Sequence, residues 1–88
     1  MKVSNDFILR EIAGEFLLVP VGAASAMFNG LITMNELGKF IFQALSEDLT
    51  ARQVAEKITG EYEVDFATAL ADTEEFLDQL RQVGALEE

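Results

Sequence analysis

The sequence predicts an α+β fold of the winged helix-turn-helix type, in which a three-stranded antiparallel N-terminal sheet is followed by three helices. Two runs rich in β-branched and aromatic residues, 7–12 and 15–19, flank a two-residue break. Asn29-Gly30 is typical of a tight hairpin turn, because both residues tolerate positive φ. In the second part of the chain, apolar residues recur at helical spacing in three segments. The 88 residues suffice for one modest core, so we expect a single domain over residues 1–88.

The first two strands are expected to form a hairpin. Gly14 supplies the positive φ that a two-residue loop at Ala13-Gly14 requires. A loop of this length places Leu9 opposite Leu18 in the hairpin.

The chain between the second and third strands contains residues that interrupt a sheet. Pro20 has no N–H to donate, and we expect a bulge or loop over residues 22–25. Residues 26–28 then enter the Asn29-Gly30 turn. A short third strand follows the turn and completes a three-stranded meander; its residues are Leu31, Ile32, Thr33 and Met34.

The first helix is expected to begin directly after this strand. Asn35 stands where its side-chain oxygen can accept a hydrogen bond from a free N–H of the first turn. The apolar residues of this helix are Leu37, Phe40, Ile41, Ala44 and Leu45. A short strand that abuts such a helix can leave an open sheet edge beside an apolar groove, where a peptide can dock.

The other two helices also begin at capping residues. Thr50 and Gln53 fit a capping box at the start of the second helix, which we expect to end at Gly60 in the left-handed conformation. Asp65 can cap the third and longest helix, which Gly84 closes.

The third helix carries an apolar arc that is wider than one packing contact needs. Its main stripe consists of Phe66, Leu70, Thr73, Leu77 and Leu80, and one flank consists of Ala69, Phe76 and Val83. One interpretation is that the whole arc is core. The other is that the flank containing Phe76 borders the third strand and forms the wall of a groove.

Composition argues against most catalytic chemistry. The chain has no Cys and no His, so it lacks thiolate nucleophiles, zinc-thiolate sites and the commonest general base. No glycine-rich phosphate loop follows a strand into a helix. We therefore expect no catalytic residues, no cofactor, no metal ligands and no enzymatic activity.

The distribution of charge argues against nucleic acid and membranes as partners. The formal charge is −10, and residues 61–88 hold nine acids against Arg81 alone. Such a surface repels phosphate backbones and anionic lipid headgroups. No apolar run could span a bilayer, and the N-terminus lacks the apolar core of a signal peptide. We expect a cytoplasmic protein.

Several segments together resemble the PqqD family. They are residues 8–15 (ILREIAGE), 18–22 (LVPVG), 29–41 (NGLITMNELGKFI), 75–80 (EFLDQL) and 83–86 (VGAL). The resemblance implies a RiPP recognition element, a small non-catalytic domain that captures the leader of a ribosomally synthesised precursor peptide and presents it to a modifying enzyme. The family namesake assists pyrroloquinoline quinone (PQQ) synthesis beside a radical SAM enzyme, so the implied partners are a leader peptide and a maturase of that kind.

The resemblance also implies where the leader binds. In this family the leader adds as a strand to the free edge of the third strand and places apolar side chains in a cleft beside the third helix. The implied edge is Leu31, Ile32, Thr33 and Met34, and the implied wall is Thr73, Phe76, Leu77 and Leu80.

Two alternatives stay open at the level of sequence. The edge could instead be covered by a loop or by a second copy of the chain, which would make a homodimer. The domain could also be a winged-helix regulatory module that binds protein rather than DNA.

Overall fold

The computed structural model describes residues 1–27 and 32–88, and within these ranges it contains five strands and four helices. The strands are β1 (Lys2–Val3), β2 (Phe7–Ile12), β3 (Glu15–Pro20), β4 (Ile32–Met34) and β5 (Leu86–Glu87). The helices are α1 (Ala23–Met27), α2 (Glu36–Ala44), α3 (Ala51–Glu61) and α4 (Phe66–Gln82). Strands β2, β3 and β4 form an antiparallel sheet in that order. A three-stranded sheet followed by helices α2 to α4 confirms the predicted α+β fold.

The β2–β3 hairpin forms as the sequence predicts. Ala13 and Gly14 both have positive φ, 53° and 80°, which closes a two-residue loop. Leu9 lies opposite Leu18, so the predicted register is confirmed.

The segment after β3 differs from the prediction. Residues 23–27 form the short helix α1, so the loop expected over residues 22–25 is wrong from Ala23 onwards. Residue 28, through which the chain is expected to enter the Asn29-Gly30 turn, lies outside the described residues. Gly22 has a φ of 59°, and its carbonyl accepts from the Ser25 hydroxyl at 2.7 Å. Alanine, which dominates this segment, favours a helical turn once a loop geometry has started it. The Asn29-Gly30 turn and Leu31 lie outside the described residues.

Local hydrogen bonds fix the starts of α2 and α3. The Asn35 side chain accepts from the Gly38 N–H at 2.8 Å. The Thr50 hydroxyl accepts from the Gln53 N–H at 3.1 Å, while the Gln53 side chain accepts from the Thr50 N–H at 2.8 Å. Both predicted caps are confirmed, and the second is a reciprocal capping box.

The helix ends follow the prediction at one glycine and depart from it at the other. Gly84 has a φ of 72° and donates its N–H to the Arg81 carbonyl, and the Ala85 N–H reaches the Leu80 carbonyl at 2.9 Å. This pair of bonds is a Schellman motif and confirms Gly84 as the stop of α4. Gly60 lies within α3, which continues to Glu61, so the predicted left-handed stop at Gly60 is wrong.

The turn at Gly84 directs the chain into a second, two-stranded sheet that the sequence did not predict. There β5 pairs antiparallel with β1, with Val3 opposite Leu86. The Ser4 N–H also donates to the Ala85 carbonyl at 2.8 Å. These bonds fasten the two ends of the described chain to each other beside α4.

The core lies between the main sheet and helices α2 to α4. Its largest fully buried side chains are Leu18, Ile41, Leu45, Val54, Ile58, Thr73, Leu77 and Leu80. Thr73 is tolerated there because its hydroxyl donates to the Ala69 carbonyl at 2.7 Å. Among the helices of the described ranges, none combines the length and the apolar composition needed to cross a membrane.

Acid is expected to weaken the fold through the cap of α4. The Asp65 carboxylate accepts from the Thr68 N–H at 2.7 Å, and this hydrogen bond lowers the pKa of Asp65. A carboxyl whose folded pKa lies below its unfolded value stabilises the fold above about pH 4 and loses that contribution as the pH falls further. We expect the free energy of unfolding, measured in urea from pH 7 to pH 2.5, to fall less steeply with pH in Asp65→Asn, which keeps a neutral cap. Identical acid sensitivity in both proteins would contradict this role.

Candidate functional site

Strand β4 forms one edge of the main sheet. It pairs with β3 through Phe16 opposite Met34, Leu17 opposite Thr33, and Leu18 opposite Ile32. No other described strand pairs with its second side. Backbone N–H and C=O groups alternate between the two sides of a strand, so β4 directs part of its ladder away from the sheet.

A cleft of about 370 Å³ lies beside β4. It is bounded by the end of β4, the first turns of α2 and the middle of α4. The lining residues are Thr33, Met34, Asn35, Leu37, Gly38, Ile41, Asp72, Glu75, Phe76 and Gln79. A strand edge that no other described strand covers and a partly apolar depression therefore meet at one place.

Gly38 of α2 allows α2 to pack closely against β4 and α4. A Cβ added at Gly38 would lie 3.0 Å from Cε1 of Phe76 and 3.3 Å from the Met34 Cβ. Real Cβ atoms are rarely this close to other heavy atoms. The missing side chain at Gly38 thus leaves space for the half-buried Phe76 ring to lie on the wall of the cleft.

Alanine at Gly38 is expected to push the Phe76 ring towards the cleft. Gly60 offers a matched control, because it is also helical and a Cβ there meets nothing within 4 Å. We expect Gly60→Ala to raise the free energy of unfolding by about 0.5–1 kcal/mol. Gly38→Ala should raise the free energy of unfolding by less, or lower it, because overpacking costs about 1–3 kcal/mol. It should also shift the ring resonances of Phe76. An equal increase in the free energy of unfolding of both variants, measured in urea, together with unchanged Phe76 resonances would contradict the predicted displacement of the ring.

The structure divides the sequence-predicted site residues into three groups. Thr33, Met34 and Phe76 line the cleft, and Ile32 is half-buried on the edge strand. Leu31 lies outside the described residues. The remaining predicted wall residues do not line the cleft, since each is at most 1% exposed in the core; they are Thr73, Leu77 and Leu80.

Sequence reasoning missed the contribution of α2 and the polar residues of α4. The residues concerned are Asn35, Leu37, Gly38, Ile41, Asp72, Glu75 and Gln79. Asp72 and Gln79 were accessible from spacing alone, because positions three and four residues from Phe76 share its helix face, and Glu75 stands three residues from Asp72 and four from Gln79. The α2 residues had no such pattern, since their position depends on how α2 packs across α4.

The cleft is acidic. Asp72 and Glu75 are the only charged residues among those that line it, and neither forms an ion pair within the described ranges. Arg81 lies further along α4 and binds Asp78 and Glu88 instead. The hydrogen bonds from Arg81 lower the pKa of Glu88, and those bonds raise the pKa of Arg81.

Comparisons with known proteins bear on the family and the fold. A family model described as "Coenzyme PQQ synthesis protein D (PqqD)" matches residues 15–86. No curated protein sequence is significantly similar. TbiB1 in complex with the TbiA(β) leader peptide is similar over 99% of this chain and 95% of its own, with 25% identity and a TM-score of 0.77.

A second solved structure extends the comparison of folds. It is a lasso peptide synthetase B1 complexed with the leader peptide. It covers 99% of this chain and 96% of its own, with 18% identity and a TM-score of 0.75. Both solved structures therefore share the overall fold of this chain.

Proposed function

Because this chain belongs to the PqqD family, whose model matches residues 15–86, we propose that it is a RiPP recognition element. In this role it binds the leader of a ribosomally synthesised precursor peptide in the cleft between β4 and α4. The open edge of β4 directly beside the cleft carries this proposal. The similarity to TbiB1, solved with a leader peptide, supports it.

Leader binding is proposed to proceed by β-strand addition. The leader forms backbone hydrogen bonds with those N–H and C=O groups of β4, Ile32–Met34, that point away from β3, and Leu31 extends this edge in the sequence. Alternate side chains of an added strand point to the same face. One set therefore faces the cleft, where Phe76 offers the largest apolar contact.

The fully buried residues of α4 take a supporting part in this proposal. Thr73, Leu77 and Leu80 hold α4 against the core, and the cleft-facing side of the same helix meets the leader. A flexible leader loses conformational entropy when it becomes a strand, and the apolar contact with Phe76 is expected to offset part of this cost.

The domain is proposed to act without catalysis. It holds the leader so that the rest of the precursor reaches a modifying enzyme, for which a radical SAM maturase is our proposal from the family namesake. The similar solved structures were determined with leader peptides of their own. We therefore propose that this chain shares with these proteins the way in which it binds a leader, and not a chemical reaction.

A titration followed by NMR tests the proposal. ¹⁵N-labelled protein is titrated with a synthetic leader of the precursor encoded beside its gene, and with the same leader N-methylated at alternate residues. We expect amide shifts at residues 31–34 and 72–79, and loss of binding when N-methylation removes the donors that face β4. Shifts confined to other surfaces would refute the assignment of the site.

The oligomeric state tests the competing use of the edge. If a second copy covers β4, the free protein sediments as a dimer and the leader converts it to a monomer. If the edge is free, the protein sediments as a monomer at all concentrations, and the leader adds only its own mass. Our proposal expects the second result.

A further inference from the structure

The charged residues of the cleft are of one sign. Asp72 is half-buried and Glu75 is exposed, and both line the cleft together with Phe76 and Gln79 of the same helix. Among the residues that the structure describes, no Lys or Arg lines the cleft. An occupant therefore meets an apolar wall next to uncompensated negative charge.

The nearby cations of the described chain are engaged elsewhere. Arg81 binds Asp78 at 2.9 Å and Glu88 at 3.0 Å. The Lys39 ammonium lies 4.5 Å from the centre of the Phe16 ring. Within the described ranges, neither carboxylate of the cleft has a cation within 4 Å.

The spacing on α4 suits an extended occupant. Phe76 and Asp72 are one helical turn apart, which corresponds to about 6 Å along the helix axis. Alternate side chains on one face of a strand are about 6.7 Å apart. A strand that runs along α4 and places one side chain of a face against Phe76 would therefore place the next side chain of that face beside Asp72.

From this geometry we propose that the cleft selects leaders with a Lys or Arg two residues away from the apolar side chain that contacts Phe76. The inference rests on the proposed function and specifies its substrate class. The long aliphatic stem of Lys or Arg continues the apolar contact, while its charged end reaches Asp72 and Glu75. A leader with Asp or Glu at that position is disfavoured by repulsion between like charges.

Selection from a random peptide library tests the proposal. Displayed dodecapeptides are selected on the wild-type protein, on the double variant Asp72→Asn/Glu75→Gln, and on the control Glu74→Gln. Glu74 lies on α4, is exposed and does not line the cleft. We expect wild type and control to enrich an apolar residue with Lys or Arg at the second position from it, and the double variant to enrich the apolar residue alone.

A binding measurement with one selected peptide gives the size of the effect. Replacing its Lys or Arg with Gln should weaken binding to wild type about three- to tenfold, as for ion pairs at a partly exposed interface. The same replacement should leave binding to the double variant unchanged. The wild-type preference should also diminish as salt is raised, because salt screens charges at the protein surface.

The outcomes separate the inference from the proposed function. Apolar enrichment without a cation, or the same cation preference in the double variant, overturns the charge selection while leaving leader capture intact. If none of the selected peptides shifts the amide resonances of β4, the proposed function itself is overturned. Cation enrichment that depends on Glu74 instead of Asp72 and Glu75 also overturns the inference.

Discussion

Replacing Phe76 with alanine is expected to weaken leader binding by about 30-fold, or about 2 kcal/mol at 25 °C. The half-buried ring is the largest apolar side chain among the described residues that line the cleft, and it lies beside the edge of β4. Removing it takes away the apolar anchor while leaving the backbone of β4 available. The measurement is fluorescence anisotropy of a labelled leader, with the free energy of unfolding determined in urea for the same variant.

Phe40→Ala is the matched control for this prediction. Phe40 is also half-buried, but it contacts Tyr62 edge-on, with the ring centres 5.5 Å apart, and lines a separate depression between α2 and α3. Both variants should lose a similar stability of about 1–2 kcal/mol. Only Phe76→Ala should lose affinity. Equal losses of affinity in the two variants would show that binding responds to general destabilisation, and would contradict the anchor role of Phe76.

The parts of the fold that the sequence predicted are those fixed by hydrogen bonds between near neighbours. Asn35 and Asp65 each bond an N–H three residues later, and the Thr50 capping box uses the same separation. The β2–β3 hairpin depends on the positive φ of Ala13 and Gly14. Such features are readable from residue type and spacing, because no distant part of the chain enters them.

The missed features depend on distant contacts or on weak local preferences. Pairing of β1 with β5 joins Val3 to Leu86 across nearly the whole chain, and two-residue strands have no periodicity to detect. The five residues of α1 are too few for helix propensity to predict them reliably. At Gly60 the residue type suggested a stop, but the backbone stays helical.

The candidate site divides in a similar way. The edge strand and Phe76 follow from turn position and helix spacing, and the structure brings Thr33, Met34 and Phe76 together at one cleft. The burial of each residue in the apolar arc of α4 could not be predicted from the sequence, because periodicity shows in which direction a side chain points and not what covers it. Neighbouring positions differ by about 100° around a helix, so Phe76 lines the cleft while Leu77 enters the core.

Leu77→Ala is therefore expected to damage the fold and to leave the cleft chemistry intact. Leu77 is 1% exposed, and truncating a buried leucine costs about 3 kcal/mol through lost apolar contact and the cavity left behind. Domains of this size are stable by only about 5–15 kcal/mol, so urea unfolding should show a large shift in midpoint with little change in slope. The leader affinity of the folded fraction should stay within about twofold of wild type.

Leu77→Met keeps this prediction testable if the alanine variant does not fold. A swap of similar volume should cost less than about 1.5 kcal/mol, and leader binding should again be unchanged. A loss of leader affinity in Leu77→Met nearly as large as the loss in Phe76→Ala would contradict this prediction. That would mean that α4 rotates or shifts on binding so that Leu77 meets the leader, as the resemblance to the PqqD family had implied. Unchanged affinity in Leu77→Met, beside the large loss in Phe76→Ala, would assign the two adjacent residues separate roles in folding and in capture.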